Sequence, residues 1–379
     1  MSHLKKLACS VFVASSLLAA SAQAVLPVET VGSTVLPLPD DHRSYIFDFE
    51  FNNMVATRIV VIDPDKKKYL GMIPTGHAAP GTLSRDRKTL YTADFFYTRY
   101  TRGKRTDVLT AWDTQTLSPK WELEVPSRRS FTLTERFGVS TSTDDKFVYV
   151  YNFTPSTSVS VIDTTKQEMV NEISSNGCVL SYPIGQRQYA SLCGDGAMQV
   201  VTLDDNGQEI ERIKQIFFNP EEEKLVERAT VIGETYYFVT TEGVVVPLDL
   251  SEGIPKALPR WSLVSEKEKS AGWAPGGWQL ISAAPSLNRL YVLMHPEHLP
   301  HKWEDPSTVI WVYDLKTGKK VDEYESPNLI WSLSATSDKK PLLLGANVEG
   351  GLEIFDLTTG KHQGTMDGVT KTPTLILNH

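Results

Sequence analysis

Cysteine is scarce in this chain of 379 residues, which contains three. No run approaches the roughly 18 apolar residues that a membrane-spanning helix needs, which argues against a helical span. Lys and Arg number 38 against 46 Asp and Glu, and a net charge of −8 argues against nucleic acid as a partner. A Gly-rich phosphate loop, a nucleophile elbow and a zinc signature are also missing, so no familiar self-contained active site is indicated.

Residues 1–24 are typical of a cleaved export signal. A positively charged start precedes an apolar run over residues 7–20, and Ala22-Gln23-Ala24 supplies a small-residue cleavage site before Val25. A lipoprotein signal that uses Cys9 is the weaker interpretation, because Cys9 comes before most of the apolar run. We therefore expect an exported mature chain with a periplasmic location.

Export makes the two remaining cysteines informative. Cys178 and Cys193 form an even pair in an oxidising compartment, so a disulfide is the default interpretation. Closure of a loop of this size stabilises a fold by about 3 kcal/mol in the chain-entropy model. Two buried free thiols are the alternative.

Seven copies of one pattern recur, each with an apolar run that ends in Asp, a polar turn and a second apolar run. The copies are spaced 41 to 65 residues apart, near the length of a four-stranded propeller blade. Because such a repeat cannot bury its own apolar face, the pattern predicts an all-β, seven-bladed β-propeller of four-stranded antiparallel blades over residues 25–379. The aspartates are interpreted as turn caps rather than catalytic groups, and they are Asp63, Asp113, Asp163, Asp204, Asp249, Asp314 and Asp356.

The two ends of the chain are predicted to close the ring. A strand around residues 29–36 and a final strand at 374–377 would complete one shared blade and hide the edges of both. The longest step between repeats contains residues 263–272, which predict a short helix, and the loop 295–306.

Three histidines in that loop are the best candidate metal ligands. His295, His298 and His301 have a spacing of three, but Pro296 and Pro300 interrupt any helix that would align them. A solvated loop is the preferred interpretation, so we predict no metal site in this chain.

Two aromatic segments are candidate protein-binding surfaces. The segment Trp273-Ala-Pro-Gly-Gly-Trp278 is either a tight packing turn or an interface anchor, since Trp is enriched at interfaces. Residues 95–105 interleave aromatic and basic side chains, including Tyr97, Arg99 and Arg102. Such a run is also typical of proteins that bind single-stranded nucleic acid, but the predicted export and the negative net charge of the chain favour a protein partner.

Several of these segments together resemble one family, the heavy subunits of tryptophan tryptophylquinone-dependent amine dehydrogenases. The resemblance covers nearly the whole mature chain. Its motifs are TRGKRTDVLTAWD (101–113), the Cys178/Cys193 pair followed by Gly194-Asp195-Gly196, the WAPGGW segment, and HKWEDPSTVIWVYDLKTGK (301–319). The residues at 70–75, the TRGKR run and the MHP…HK loop look closer to the aromatic (aralkyl) amine dehydrogenase type than to methylamine dehydrogenase.

The resemblance implies a function shared between two kinds of subunit. In such enzymes the quinone is built from two tryptophans of a small, disulfide-rich light subunit, and two heavy plus two light chains form the complex. A primary amine is converted to aldehyde and ammonia, and electrons pass to a periplasmic blue copper protein. The implied role of this chain is to dock the light subunit and to help form the substrate channel, without a cofactor or catalytic residue of its own.

Individual residues receive roles by the same resemblance. Phe51 is the candidate channel residue, with Asn53 as the alternative if the register slips by two, although an ordinary core aromatic is an equal interpretation of Phe51. The light-subunit interface candidates are Tyr97, Arg99, Arg102, Trp273 and Trp278.

Two other classes of function remain. The first is a stand-alone exported propeller that acts as a binding or assembly module without redox activity. The second is an enzyme with its own Ca²⁺ site at the ring centre, such as a lactonase, which needs a cluster of acidic and His residues there. The location of the repeat aspartates in turns argues against the second class.

Overall fold

The computed structural model describes residues 34–129, 134–296 and 303–378. The described residues from Val35 onward form one compact unit. The predicted signal peptide, residues 1–24, lies outside the described residues and stays a prediction. No helix in the described ranges is long and apolar enough to cross a membrane.

Strands with alternating apolar and β-branched residues dominate the structure. Sheet 1 contains β1 (Ser44–Asp48), β2 (Arg58–Asp63), β3 (Lys68–Pro74) and the last strand, β29 (Pro373–Leu377), in the order β29-β1-β2-β3. Sheet 2 contains β4 (Gly81–Leu83), β5 (Thr89–Arg99), β6 (Arg102–Asp113) and β7 (Pro119–Val125). Sheet 3 contains β8 (Val139–Thr141), β9 (Phe147–Asn152), β10 (Ser158–Asp163) and β11 (Glu168–Ser174).

The remaining strands form three further sheets. Sheet 4 contains β12 (Cys178–Ile184), β13 (Gln188–Cys193), β14 (Ala197–Leu203) and β15 (Glu209–Ile216). Sheet 5 contains β16 (Leu225–Ile232), β17 (Thr235–Thr240), β18 (Val244–Asp249), β19 (Lys256–Ala257) and β20 (Trp261–Ser262). Sheet 6 contains β21 (Ala274–Pro275), β22 (Ile281–Ala284), β23 (Arg289–His295), β24 (Ser307–Asp314), β25 (Lys319–Ala335), β26 (Leu342–Asn347), β27 (Leu352–Asp356) and β28 (Lys361–Met366).

Within the described ranges, three short helical segments connect the strands. They are the helix α1 (Glu266–Ser270) and the 3₁₀ turns Phe51–Ala56 and Pro285–Leu287. At the start of α1, the Ser265 hydroxyl accepts the Glu268 N–H while the Glu268 carboxylate accepts the Ser265 N–H. This capping box confirms the helix that was predicted within residues 263–272.

The predicted number of seven blades is wrong. The described strands form a propeller with five sheets of blade size, which have four or five strands each, and one sheet of eight strands. The cause is β25, a 17-residue strand that pairs with β24 along its first half and with β26 along its second half. Two repeats that were predicted as separate blades therefore share one sheet. The pairing of β24 with β25 shifts register near Pro327. Proline usually interrupts a strand, but β25 continues past it with a local irregularity.

The C-terminal strand lies in the N-terminal sheet. Tyr45 pairs with Leu377, and Phe47 pairs with Leu375. Of the strand predicted around residues 29–36, residues 34–36 form no strand, and residues 29–33 lie outside the described residues. The strand that pairs with β29 is β1.

The apolar core lies in layers between neighbouring sheets. One layer, for example, joins Tyr45 of sheet 1 to Leu90 of sheet 2, and another joins Ile46 of sheet 1 to Leu344 of sheet 6. Each sheet therefore buries both of its faces, as the repeat pattern predicts for stacked units.

The turn-cap interpretation of the seven repeat aspartates is confirmed. Each carboxylate accepts at least one main-chain N–H within its own turn, as Asp314 does from Thr317 and Asp356 does from Thr358. The other five do the same. These side chains stabilise hairpins and lie outside any shared site.

The propeller has two faces, which are named here by the strand ends that they carry. Face 1 carries the segments that follow β1, β5, β9 and β26, which are the second strands of their sheets or repeats. Face 2 carries the ends of the innermost strands, including β4, β8, β12, β16 and β29. Equivalent strands of a propeller run in the same direction, so these ends meet on common surfaces.

Candidate functional site

A cavity of about 400 Å³ opens on face 1. One wall is the 3₁₀ turn that follows β1, and the other is the region where β5 and β6 leave their sheet. Its lining residues are Phe51, Asn52, Met54, Val55, His77, Tyr97 and Thr101. Apolar and aromatic side chains thus surround a few polar groups, which is the usual composition of a small-molecule site.

Phe51 lies at the surface and not in the core. The chain turns sharply at Glu50, whose φ is 48°, and Phe51 is 49 % exposed. Its ring packs edge-on against Phe49 at 5.0 Å and lies 6.5 Å from the Trp331 ring, measured between centroids. Phe51 therefore stands at a cavity, and its role in a substrate channel stays a prediction. Asn53 belongs to the same 3₁₀ turn.

His77 supplies a neutral polar group to the cavity wall. Its ring stacks on Phe95 with centroids 5.0 Å apart and meets Tyr97 edge-on at 5.4 Å. Desolvation and the nearby Arg105 charge lower the pKa of His77, against a weaker opposing hydrogen bond to the Tyr100 carbonyl. The imidazole is therefore uncharged at neutral pH.

The hairpin of β5 and β6 projects beyond its sheet. Strand β4 pairs no farther than Thr92, and β7 pairs no farther than Asp107, so residues 96–106 pair only with each other. We refer to residues 96–106 as the ribbon. Within it, Phe96 is 45 % exposed and Tyr100 is 64 % exposed.

The ribbon is basic and firmly anchored. Arg99, Arg102 and Lys104 are exposed and form no ion pair within the described part of the chain. At the base, the Arg105 guanidinium lies 3.9 Å from the centre of the Phe95 ring and donates two hydrogen bonds of 2.6 Å to Asp107. This bidentate pair holds the ribbon in one orientation.

The two predicted tryptophan anchors pack against other parts of the chain. Trp278 is only 6 % exposed, and its indole N–H donates to the Thr134 carbonyl at 3.1 Å. Trp273 is half-buried against Trp311, with ring centroids 4.8 Å apart. The WAPGGW segment therefore packs within the chain, and Trp278 offers a partner little surface.

An ion cluster around Arg228 was not anticipated from the sequence. Arg228, on β16, lies within 3.3 Å of carboxylate oxygens from Glu135, Glu227 and Glu304, and its guanidinium stacks on Trp278. Burial raises the pKa of Glu135 to about 7, although the Arg228 charge opposes the rise. The sequence offered one indication of this cluster, an arginine within the apolar pattern of strand β16.

The predicted cysteine pair is a disulfide. It joins the first two strands of sheet 4, where Cys178 and Cys193 are direct partners in the ladder. The bond lies on the same face as the cavity, because β13 ends there.

The described residues contain no group of three or more His, Cys, Asp or Glu side chains suited to a metal ion. Of the candidate ligands, His295 is buried, while His298 and His301 lie outside the described residues.

Comparison of the whole chain with solved structures shows the fold alone. A protein of unknown function from Desulfotomaculum acetoxidans superimposes with a TM-score of 0.61 at 14 % identity, covering 89 % of this chain and 98 % of that one. A dihydro-heme d1 dehydrogenase superimposes with a TM-score of 0.54 at 13 % identity, covering 93 % and 78 %.

Sequence comparison is more specific. The chain is 30 % identical to the methylamine dehydrogenase heavy chain of Methylophilus methylotrophus, over 90 % of this chain and 84 % of that protein. It is also 30 % identical to the corresponding chain of Methylobacillus flagellatus, over 90 % and 86 %. The profile of the methylamine dehydrogenase heavy chain family matches residues 40–379. This protein therefore belongs to the methylamine dehydrogenase heavy-chain family.

Proposed function

We propose that this chain is the heavy subunit of a periplasmic amine dehydrogenase that docks a light subunit on face 1 and helps to form the route of the amine. The light subunit carries tryptophan tryptophylquinone, which supplies the oxidation of the amine when the complex is assembled. Two heavy and two light chains form the complex, and a blue copper protein accepts the electrons. The number of chains, the quinone and the acceptor rest on the family resemblance.

The observation that carries the docking proposal is the apolar character of face 1. Large apolar side chains that are exposed on this face are Phe51, Phe96, Tyr100, Phe153, Leu329 and Val348. A soluble chain exposes such groups together where a partner covers them. The ribbon adds unpaired basic groups, so we expect the docked surface to carry carboxylates opposite Arg99 and Arg102.

The cavity supports an amine with an aromatic or other apolar substituent. Phe51, Met54, Val55 and Tyr97 provide apolar walls, and about 400 Å³ accommodates an aralkyl group. The uncharged His77 leaves the wall free of a cation that would repel a protonated amine. Phe51 and its neighbour Asn53 are the proposed channel residues.

Reconstitution with the light subunit tests this function. The isolated chain is expected to show neither amine oxidation nor a visible quinone band, and the reconstituted complex is expected to show both. Amine oxidation by the isolated chain would refute the docking role. A chain that purifies without any light subunit, in a cell that expresses one, would favour a stand-alone binding module.

A pair of substitutions tests the channel. Phe51→Ala is expected to change the ratio of kcat/KM for 2-phenylethylamine over methylamine by about tenfold, because the substituent loses its aromatic contact. Phe153→Ala is the matched control, since Phe153 is exposed on the same face but does not line the cavity. Equal ratios in both variants would contradict a channel at Phe51.

A further inference from the structure

A second cavity occupies the centre of the propeller and opens on face 2. Its volume is about 360 Å³, and the ends of the innermost strands β4, β8, β12, β16 and β29 form its wall. It lies on the side opposite the Phe51 cavity. Neither the proposed docking role nor the proposed amine route uses it.

Two arginines line this central cavity. Arg85 follows β4, and Arg136 precedes β8. Within the described ranges, neither guanidinium forms an ion pair with a carboxylate or a hydrogen bond with another group. The Arg136 guanidinium lies 5.4 Å from the centre of the Phe137 ring.

The carboxylates near the mouth of the cavity already have other partners. Asp145 accepts the main-chain N–H of Arg85 at 2.8 and 2.9 Å. Glu234 accepts the main-chain N–H of Gly185 at 2.6 Å. Both acidic groups therefore hold turns together, and neither forms an ion pair with Arg85 or Arg136 within the described ranges, although the charges of Asp145 and Arg85 attract each other.

The two guanidiniums differ in their access to water, because Arg136 is partly buried whereas Arg85 is exposed. Burial lowers the pKa of Arg136, and the like charge of Arg85 lowers it further, while Tyr236 opposes the change. Taking a cation out of water is unfavourable unless an opposite charge replaces the lost hydration. An anion in the cavity would supply that charge to Arg136, and Arg85 lines the same cavity and could donate to the same anion.

We propose that the central cavity is a binding site for a small oxyanion, held between the Arg85 and Arg136 guanidiniums. Carboxylates and phosphates share the required chemistry, because both offer paired oxygens to the planar donors of arginine. Ser140, Thr141 and Asn378 add polar groups to the wall. The site is independent of amine oxidation and lies on the other face of the propeller.

Titration of the purified chain tests the site. Inorganic phosphate and acetate are titrated calorimetrically in separate experiments at constant ionic strength, with NaCl as the balancing salt. We expect saturable binding of one ion per chain and a rise in Tm with anion concentration. Stronger binding of phosphate would identify a phosphate site, and stronger binding of acetate would identify a carboxylate site.

Two variants assign the binding to the cavity. Arg136→Gln is expected to weaken anion binding by at least about tenfold, and Arg85→Gln, at an exposed position that tolerates substitution, is expected to weaken it as well. Arg99→Gln is the control, because Arg99 is an unpaired arginine on the opposite face. The proposal is overturned if neither anion binds saturably, or if the control and both cavity variants bind with the affinity of the unmodified chain.

Discussion

The Arg228 guanidinium lies 3.5 Å from the centre of the Trp278 ring. This contact joins sheet 5 to the WAPGGW segment. The Trp278 indole N–H in turn donates a hydrogen bond to the carbonyl of Thr134. The same cation is 3.2 Å from the carboxylate of Glu135, so one buried side chain connects three parts of the ring. The contact explains why WAPGGW packs internally.

Removal of the Arg228 charge is expected to destabilise the chain strongly. Arg228→Met should lower the free energy of unfolding by about 3–5 kcal/mol, because it leaves the buried Glu135 carboxylate without a counter-charge. Urea denaturation measures the loss. The double variant Arg228→Met/Glu135→Gln should recover part of it. Arg260→Met is the control, since its pair with Glu223 is more exposed and should be worth less than about 1 kcal/mol.

His42 is expected to make stability depend on pH near neutrality. Desolvation lowers the pKa of His42, but hydrogen bonds and charges from Asp65 and Asp338 outweigh it and raise the pKa above 6.5. The stabilisation is therefore fully present below the unfolded pKa and is lost as pH rises through the folded pKa. His42→Gln should remove this part of the pH dependence in urea denaturation between about pH 5.5 and 8.5.

The exposed Lys361 provides a control for the pH experiment. Lys361→Gln should leave the slope of stability against pH as it is in the unmodified chain, because this side chain forms no ion pair within the described residues. A His42→Gln variant with the unmodified slope would show that the bridge between Asp65 and Asp338 does not couple to folding.

Alanine substitutions at two glycines are expected to distinguish the cost of backbone strain from the cost of steric crowding. Gly196 and Gly368 both have positive φ, at 85° and 64°, but a Cβ at Gly196 would strike the Phe218 carbonyl, whereas the space at Gly368 is open. Gly368→Ala should cost about 1 kcal/mol for the left-handed backbone alone. Gly196→Ala should cost at least about 1 kcal/mol more, from overpacking. Thermal denaturation of both variants measures the difference, and equal losses would exclude the crowding.

The disulfide is expected to stabilise the fold without taking part in amine oxidation. Cys178→Ser/Cys193→Ser should lower the free energy of unfolding by about 3 kcal/mol. The quinone spectrum and kcat of the reconstituted complex should stay unchanged at a temperature where the variant is folded. A folded complex with a bleached or unreactive quinone would show that the bridge does more than stabilise sheet 4.

Features that depend on neighbouring residues were predicted well. The turn caps at Asp314 and Asp356, the helix near Glu266 and the Cys178–Cys193 pair all follow from residues that are close in the chain or alike in chemistry. The number of blades was not predictable in this way. Whether β25 breaks near Pro327 or continues depends on the strands that flank it, and those contacts come from distant parts of the chain.

The candidate site likewise combines a feature that was predicted from the sequence with others that depend on distant contacts. Phe51 was singled out from its motif, but nothing in the sequence placed His77 beside Tyr97 or brought both to the same cavity. Nothing in the sequence singled out Arg136, and its place in the lining of the central cavity depends on how the innermost strands meet.

The amino-acid sequence by itself determined that this protein is a β-propeller of the amine dehydrogenase heavy-chain type, because alternation, turn residues and family motifs are local properties. The tertiary structure alone decided how many sheets form, which aromatic groups share a cavity on face 1, and that Arg85 and Arg136 line one central cavity. Those outcomes depend on contacts between residues far apart in the chain, whose geometry is set only when the sheets pack around one axis.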